Sequence, residues 1–264
     1  MGKQIGIDVS EWNGNIDWKQ VKPHIDFAMI RAGYGSSTMD AKFKENASGC
    51  TNHKIPFGVY WFSYALSEAM AKKEAKKCLS IVKSFKLSCP IAFDFEYDSL
   101  EYAKKKGYNI SPNKMCAIAR AFLDEIITAG YTVLLYTNPD FWYNKGFKNL
   151  GNSYPIWCAH WGAEKPGVYC SMWQDSNKGK VTGISGDVDT DISYIEYQLP
   201  ASDSDIKKEI EKCSLKYGEI YTEVAREIIM GQWGNGDDRV KKLKAANLDP
   251  KFVQDIVNII LKNG

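Results

Sequence analysis

The chain has 264 residues, 44% hydrophobic and 25% charged, with 34 Lys and Arg against 32 Asp and Glu for a net charge of +2. That length allows one large domain and a small one, with the composition of an ordinary soluble globular protein. The charge balance argues against a broad polycationic surface for nucleic acid, and no apolar stretch reaches the ~18 residues a membrane span needs.

Residues 1 to about 197 alternate strand and helix patterns. Lys3–Val9 reads as a strand, entered at once from Met1 without an apolar leader, so no signal peptide is expected. Trp18–His24 reads as a short helix capped by Asp17, Phe27–Ala32 as a strand, Ala41–Cys50 as a helix and Phe57–Phe62 as a strand. Ser67–Ser84 is a long helix with Ser67 where its N-cap should be, Pro90–Phe95 a strand, and Ser111–Ala129 a helix with Ser111 as cap and Pro112 in its first turn. Thr132–Thr137 is a strand, followed by a short aromatic helix or loop and strand-like runs at Ile156–Ala159, Tyr169–Gln174 and Val188–Ile192. Five βα units and three strands with little helix between them predict a TIM-like (β/α)5(β)3 barrel. Residues 198–206 read as a linker. The chain from Ile206 onward reads as helices only, at Ile206–Leu215, Glu219–Met230, Asp237–Ala246 and Pro250–Leu261, and 207–264 is expected to be a small all-α domain, a three-helix one by the resemblance given below.

Pro90-Ile-Ala-Phe-Asp-Phe-Glu-Tyr-Asp98 carries the strongest chemical signal. A strand has period two, so Asp94 and Glu96 share a face while Phe93 and Phe95 turn to the other. Desolvating a charge is expensive, so acids seldom lie in a buried strand for stability. Two on one face push their pKa values apart, which prepares one acid and one anion at a glycosidic bond. The bland alternatives are a solvated edge strand or a cation site, and the flanking Ile91, Ala92, Phe93 and Phe95 oppose the first. In a barrel the carboxyl ends of all parallel strands meet at one mouth, where Asp8 at the end of the first strand can join the pair. Asp187-Val-Asp-Thr-Asp191 also alternates acids, either at that mouth or in an Asx-rich turn; periodicity does not decide which.

Seven cysteines (50, 78, 89, 116, 158, 170 and 213) are scattered without C-x-x-C and read as free thiols of a reducing compartment. Neither they nor histidines 24, 53 and 160 have zinc-type spacing, so no metal and no cofactor is expected. There is no P-loop, dinucleotide fingerprint, H-E-x-x-H or G-x-S-x-G. The 8 Trp and 15 Tyr suit an ordinary core and also stacking on sugar rings; Tyr60, Trp61, Tyr64, Tyr136, Trp142, Trp157, Trp161 and Trp173 fall near strand ends, as an aromatic-lined groove requires.

Gly6-Ile-Asp-Val-Ser-Glu-Trp-Asn-Gly14, Ile30-Arg-Ala-Gly33, Gly58-Val-Tyr-Trp-Phe62, Ala92-Phe-Asp-Phe-Glu96, Tyr136-Thr-Asn138, Trp173-Gln174 and Val188-Asp189 follow in order. Together they resemble the glycoside hydrolase family 25 lysozymes common among phage endolysins and bacterial autolysins. The resemblance covers residues 4 to about 197 and departs at Trp61-Phe62, where many members have Tyr or His before Phe. It implies hydrolysis of the β-1,4 bond between N-acetylmuramic acid and N-acetylglucosamine in peptidoglycan. It assigns Glu96 as general acid/base and an ionised Asp94 as the group that orients the substrate's own acetamido nucleophile. It places Asp8, Asp189, Arg31, Tyr60, Tyr136 and Trp173 around the substrate. A chitinase-like barrel would need further alternating acids where Pro90 and Ala92 stand, and a non-catalytic glycan-binding module would not need Asp8, Asp94 and Glu96 intact. The segment Glu223–Asn247 is similar to the CW_7 cell-wall-binding repeat, which implies a muropeptide-binding three-helix bundle with Arg239 as a contact and Trp233 as either a contact or a core residue. One such copy has a small core, so the expectation is either a homodimer through it or docking on the barrel. Free thiols and the missing leader fit an endolysin held in the host cytoplasm until lysis; an autolysin is the alternative.

Overall fold

Phe27-Ala-Met-Ile-Arg-Ala-Gly-Tyr34 opens with four apolar residues and so is apolar on both faces as far as Arg31, the pattern of a parallel strand covered on both sides. The computed structural model, which describes residues 3–199 and 218–263, bears this out. Ala28, Ile30 and Ala32 pack outward in the larger core cluster, and Phe27 and Met29 pack inward in a smaller one. The chain divides into two units, Met1–Leu199 and Pro200–Gly264.

The first unit contains β1 (Gln4–Val9), β2 (Phe27–Tyr34), β3 (Thr38–Met39), β4 (Phe57–Phe62), β5 (Ile91–Asp94), β6 (Val133–Thr137), β7 (Ile156–Ala159), β8 (Met172–Gly179) and β9 (Val188–Ser193). The order is β1-β9-β8-β7-β6-β5-β4-β2-β3, and β1 also pairs with β2, so eight strands close a barrel and β3 is a short appendage. Strands β1, β2 and β4–β8 run parallel; β9 is antiparallel to both neighbours. The register is tight at Gly6, which lies opposite Phe27: a Cβ there would sit 2.4 Å from that ring.

Helices α1 (Trp18–Val21), α2 (Phe43–Asn52), α3 (Glu68–Val82), α4 (Tyr97–Lys105) and α5 (Pro112–Thr128) cover the first strands. The expected caps are formed: Asp17 accepts from Lys19 N and Gln20 N, Ser67 from Met70 N, and Ser111 from Lys114 N. Only short turns, Phe141–Lys145 and Phe147–Leu150, join β6 to β7, and no helix lies between β7 and β9, as the (β/α)5(β)3 pattern requires. Two expectations shift. The run at Tyr169–Gln174 is a strand only from Met172, and Tyr169 is 97% exposed. Helix α4 has no counterpart in the sequence reading, because only Leu100 and Ala103 mark an apolar face in it.

In the second unit the described residues form α6 (Glu219–Ile229), α7 (Gly236–Ala245) and α8 (Pro250–Asn263). Their core is Val224, Ala225, Ile228, Leu243, Val253, Ile256, Val257 and Ile260. Asp249 Oδ1 caps α8 by accepting from Lys251 N and Phe252 N. The expected helix Ile206–Leu215, and the linker from residue 200 onward, lie outside the described residues.

Candidate active site

At the carboxyl ends of the parallel strands a cleft of about 250 Å³ is lined by Asp8, Arg31, Tyr60, Asp94, Glu96, Tyr136 and Asp189, with Trp12, Phe62, Trp157 and Gln174. Strand parity puts them there. Ala92 faces the barrel interior, so Asp94 does too, and the residue after next is Glu96, held in extended backbone as the N-cap of α4. Phe93 and Phe95 take the opposite side and stack at 6.2 Å. Because β9 is antiparallel, its first residues share the mouth with the last residues of β1, and Asp8 lies directly across from Asp189. That resolves which end of the last strand bears Asp189.

Four of these seven predicted lining residues are acids, and burial raises all four. Asp94 is pushed well above the ordinary carboxylate range, first by burial and then by the Glu96 charge with which it hydrogen-bonds; Arg31 opposes the shift. Burial lifts Glu96 to about 7, against the pull of the Asp94 hydrogen bond, with Asp98 and Asp189 adding repulsion. Asp8 is raised by burial and by Asp191 and Asp189, and burial lifts Asp189 to about 6. Burial therefore favours the protonated forms at this mouth, and Asp94 and Glu96, each raised by it, titrate as a pair.

The walls are braced. Arg31 Nη2 donates to Glu11 Oε1 at 2.8 Å and Nε donates to the fully buried Asp40 at 2.7 Å. Gln174 is the hub of the opposite wall: its Nε2 donates to Asp8 Oδ2 at 2.6 Å, and its Oε1 accepts from Tyr136 Oη at 2.9 Å and Trp161 Nε1 at 2.8 Å. Tyr60 and Tyr136 both meet Trp157 edge-on, and Trp157 Nε1 donates to Asp191, buried on the same face of β9 as Asp189. Trp12 stands 83% exposed at the rim on a 3-10 turn fixed by the Ser10–Asn13 capping box.

Trp173 does not line the cleft. It alternates with the inward Met172 and Gln174, so its indole packs in the outer core and donates to His160 O at 3.0 Å. Its neighbour Gln174 is the residue the cleft uses, and strand parity in Trp173-Gln174 was the signal that could have found it. Trp12 is likewise a residue of the site not singled out from sequence, although it lies in a segment that was, whereas Trp157 falls among the aromatic residues expected along the groove and Asp191 among the alternating acids.

In the helical unit Arg239 is engaged internally, through Nε to Gly234 O, Nη1 to Gln254 Oε1 and Nη2 to Asn235 Oδ1. Trp233 packs against the core and donates to Glu227 Oε2 at 2.7 Å. In the structure both residues brace the turn between α6 and α7.

Acids at the mouth of a closed, largely parallel barrel, one pair of them side by side among aromatic rings, are the site of a glycoside hydrolase. The chain belongs to the glycosyl hydrolases family 25, whose model matches residues 7–184, and residues 222–261 match the CW_7 repeat. It is similar to the autolytic lysozyme of Clostridium acetobutylicum, 28% identical over 189 residues, which are 70% of this chain and 54% of that protein. It is also similar to the lysozyme of Streptococcus phage Cp-7, 28% identical over 218 residues, covering 78% of this chain and 56% of that one. The chain thus spans little more than half the length of these relatives. Among solved structures, the modular autolysin LytC of Streptococcus pneumoniae matches with a TM-score of 0.64 at 28% identity, over 73% of this chain and 47% of that one. The comparisons do not support a homodimer.

Proposed function

We propose that this chain is an N-acetylmuramidase, hydrolysing the β-1,4 bond between N-acetylmuramic acid and N-acetylglucosamine of peptidoglycan with retention of configuration. The observation that carries the reading is the Asp94–Glu96 pair, set together in the cleft at the barrel mouth, with burial raising both carboxyl groups. Substrate supplies what the free site lacks. The acetamido N–H of the bound sugar donates to Asp94, stabilises its anion and leaves the proton on Glu96. Glu96 then protonates the leaving oxygen as the acetamido oxygen attacks the anomeric carbon, and Glu96 in turn deprotonates the water that opens the cyclic intermediate. The protein supplies no nucleophile of its own, unlike retaining enzymes with two working carboxylates. Asp8, Asp189, Arg31, Tyr60 and Tyr136 hold the sugars.

The CW_7 match supports muropeptide binding by the helical unit. The likeness to a phage lysozyme supports an endolysin that acts on the host wall at lysis, and the likeness to an autolytic lysozyme supports the autolysin alternative. Borohydride reduction of digests of purified Gram-positive walls, followed by mass spectrometry, tests the reaction. Reduced N-acetylmuramic acid ends are expected. Reduced N-acetylglucosamine ends would overturn the bond assignment, and no new ends with protein still pelleting on walls would leave only binding.

A further inference from the structure

Glu74 lies in α3, outside the cleft, and is fully buried. It belongs to no ion pair among the described residues, and burial lifts its pKa to about 7 against hydrogen bonds from Ser63 and Tyr64. A carboxylate so placed costs stability unless its bonds secure something else. Glu74 Oε2 accepts from Ser63 Oγ at 2.5 Å, and Oε1 accepts from Tyr64 N at 3.2 Å. Ser63 Oγ accepts in turn from Ala65 N at 3.2 Å. The three residues after β4 are thus pinned to α3 by one side chain.

That loop grips both members of the pair. Ser63 N donates to Asp94 O at 2.7 Å. Ser63 O accepts from Ser99 Oγ at 2.7 Å, and the same hydroxyl oxygen accepts from Glu96 N at 3.1 Å. One residue, Ser63, is therefore bonded to the backbone of Asp94 directly and to that of Glu96 through Ser99. We propose that Glu74 is a positioning residue for the reaction: through Ser63 it sets the spacing of the Asp94 and Glu96 carboxyl groups. The inference rests on the assignment of those two as the catalytic pair. Glu74 is an acceptor for two donors at once. A glutamine there has one acceptor oxygen, so one donor is left facing an N–H2 group and the loop shifts.

The test is Glu74→Gln in the full chain. The expected result is a kcat on purified walls lower by about ten- to a hundredfold with KM changed by less than about twofold, since small misplacements of reacting groups act on the chemical step. A second readout is independent of turnover: carboxyl carbon NMR titration of Asp94 and Glu96. Asp94 faces Arg31 as well as Glu96, and Glu96 faces Asp98 and Asp189. None of these is altered by the substitution. The pair's two apparent pKa values are expected to move by about half a unit, a fraction of the ~1–3 units that a close charge imposes. If Glu74→Gln does not fold, Ser99→Ala breaks the other arm of the same clamp and is expected to lower kcat and shift the same titrations. Unchanged kcat and unchanged titrations in a folded variant would overturn the inference. A wild-type protein that opens no glycosidic bond would overturn the proposed reaction, while the titrations would still decide the positioning.

Discussion

The barrel mouth and the helical unit bury opposite kinds of residue. The core of α6–α8 is aliphatic, from Val224 to Ile260, with every described acid of that unit left outside it. The mouth instead buries Asp8, Asp94 and Asp191 together, and Glu74 behind them. An aliphatic core gains free energy from each contact, at roughly 25 cal/mol per Å² of apolar area removed from water. A buried acid raises the folded-state energy whenever it ionises. The bundle is arranged for stability, whereas the mouth departs from the stable solution, and such departures gather where chemistry is done.

The sharpest way to break the contrast is Glu96→Gln. It is expected to lower wall hydrolysis by about 10²–10⁴-fold, the range for loss of a general acid/base. Circular dichroism should show an unchanged fold, and near-normal turnover by this variant would refute the assignment. In the bundle, Ile256→Ala should do the reverse. Ile256 is fully buried, so about 2–5 kcal/mol of stability is lost, read as faster hydrogen exchange over 219–263, while hydrolysis of short soluble glycan fragments is retained.

A third test uses pH. Glu74 has a folded value of about 7 against an ordinary 4.5, so the folded state holds its proton longer than the unfolded chain. Stability must therefore fall as pH rises from about 4.5 to 7, by about 3 kcal/mol from Glu74 alone. Calorimetry of the barrel should show the melting temperature declining over that window, and Glu74→Gln should flatten the decline. A melting temperature that climbs across the window would contradict the burial described for this acid. The smallest effect is at the rim. Trp12→Ala should raise KM a few-fold, consistent with about 0.5–1.5 kcal/mol of stacking, and move stability by less than about 0.5 kcal/mol, because the ring is 83% exposed.

Strand parity made much of this legible. The alternation of Phe93 and Phe95 with Asp94 and Glu96 puts the pair on one face from sequence alone, and apolar runs mark the barrel strands. Cap residues Asp17, Ser67 and Ser111 fixed helix starts, because their side-chain oxygens have a local partner to find. What stayed hidden depends on distant pairing. The side of β9 that reaches the mouth follows from its antiparallel register with β1, which no local pattern encodes. Helix α4 lacks an apolar stripe because much of its exposed surface faces water, and Gln174 was passed over for the more conspicuous Trp173. The upward shift at Asp94 depends on its depth, which its sequence neighbours do not report.

The seam between β1 and β9 also constrains how the molecule is made. Asp8 and Asp189 meet only when the first strand pairs with the last, a contact between chain segments far apart in sequence. Such closure is entropically late and slow. During synthesis β1 must wait, one edge unpaired, until residues 188–193 have left the ribosome. A nascent chain thus carries every catalytic side chain without an assembled mouth, and the last barrel strand to emerge completes the acidic cluster.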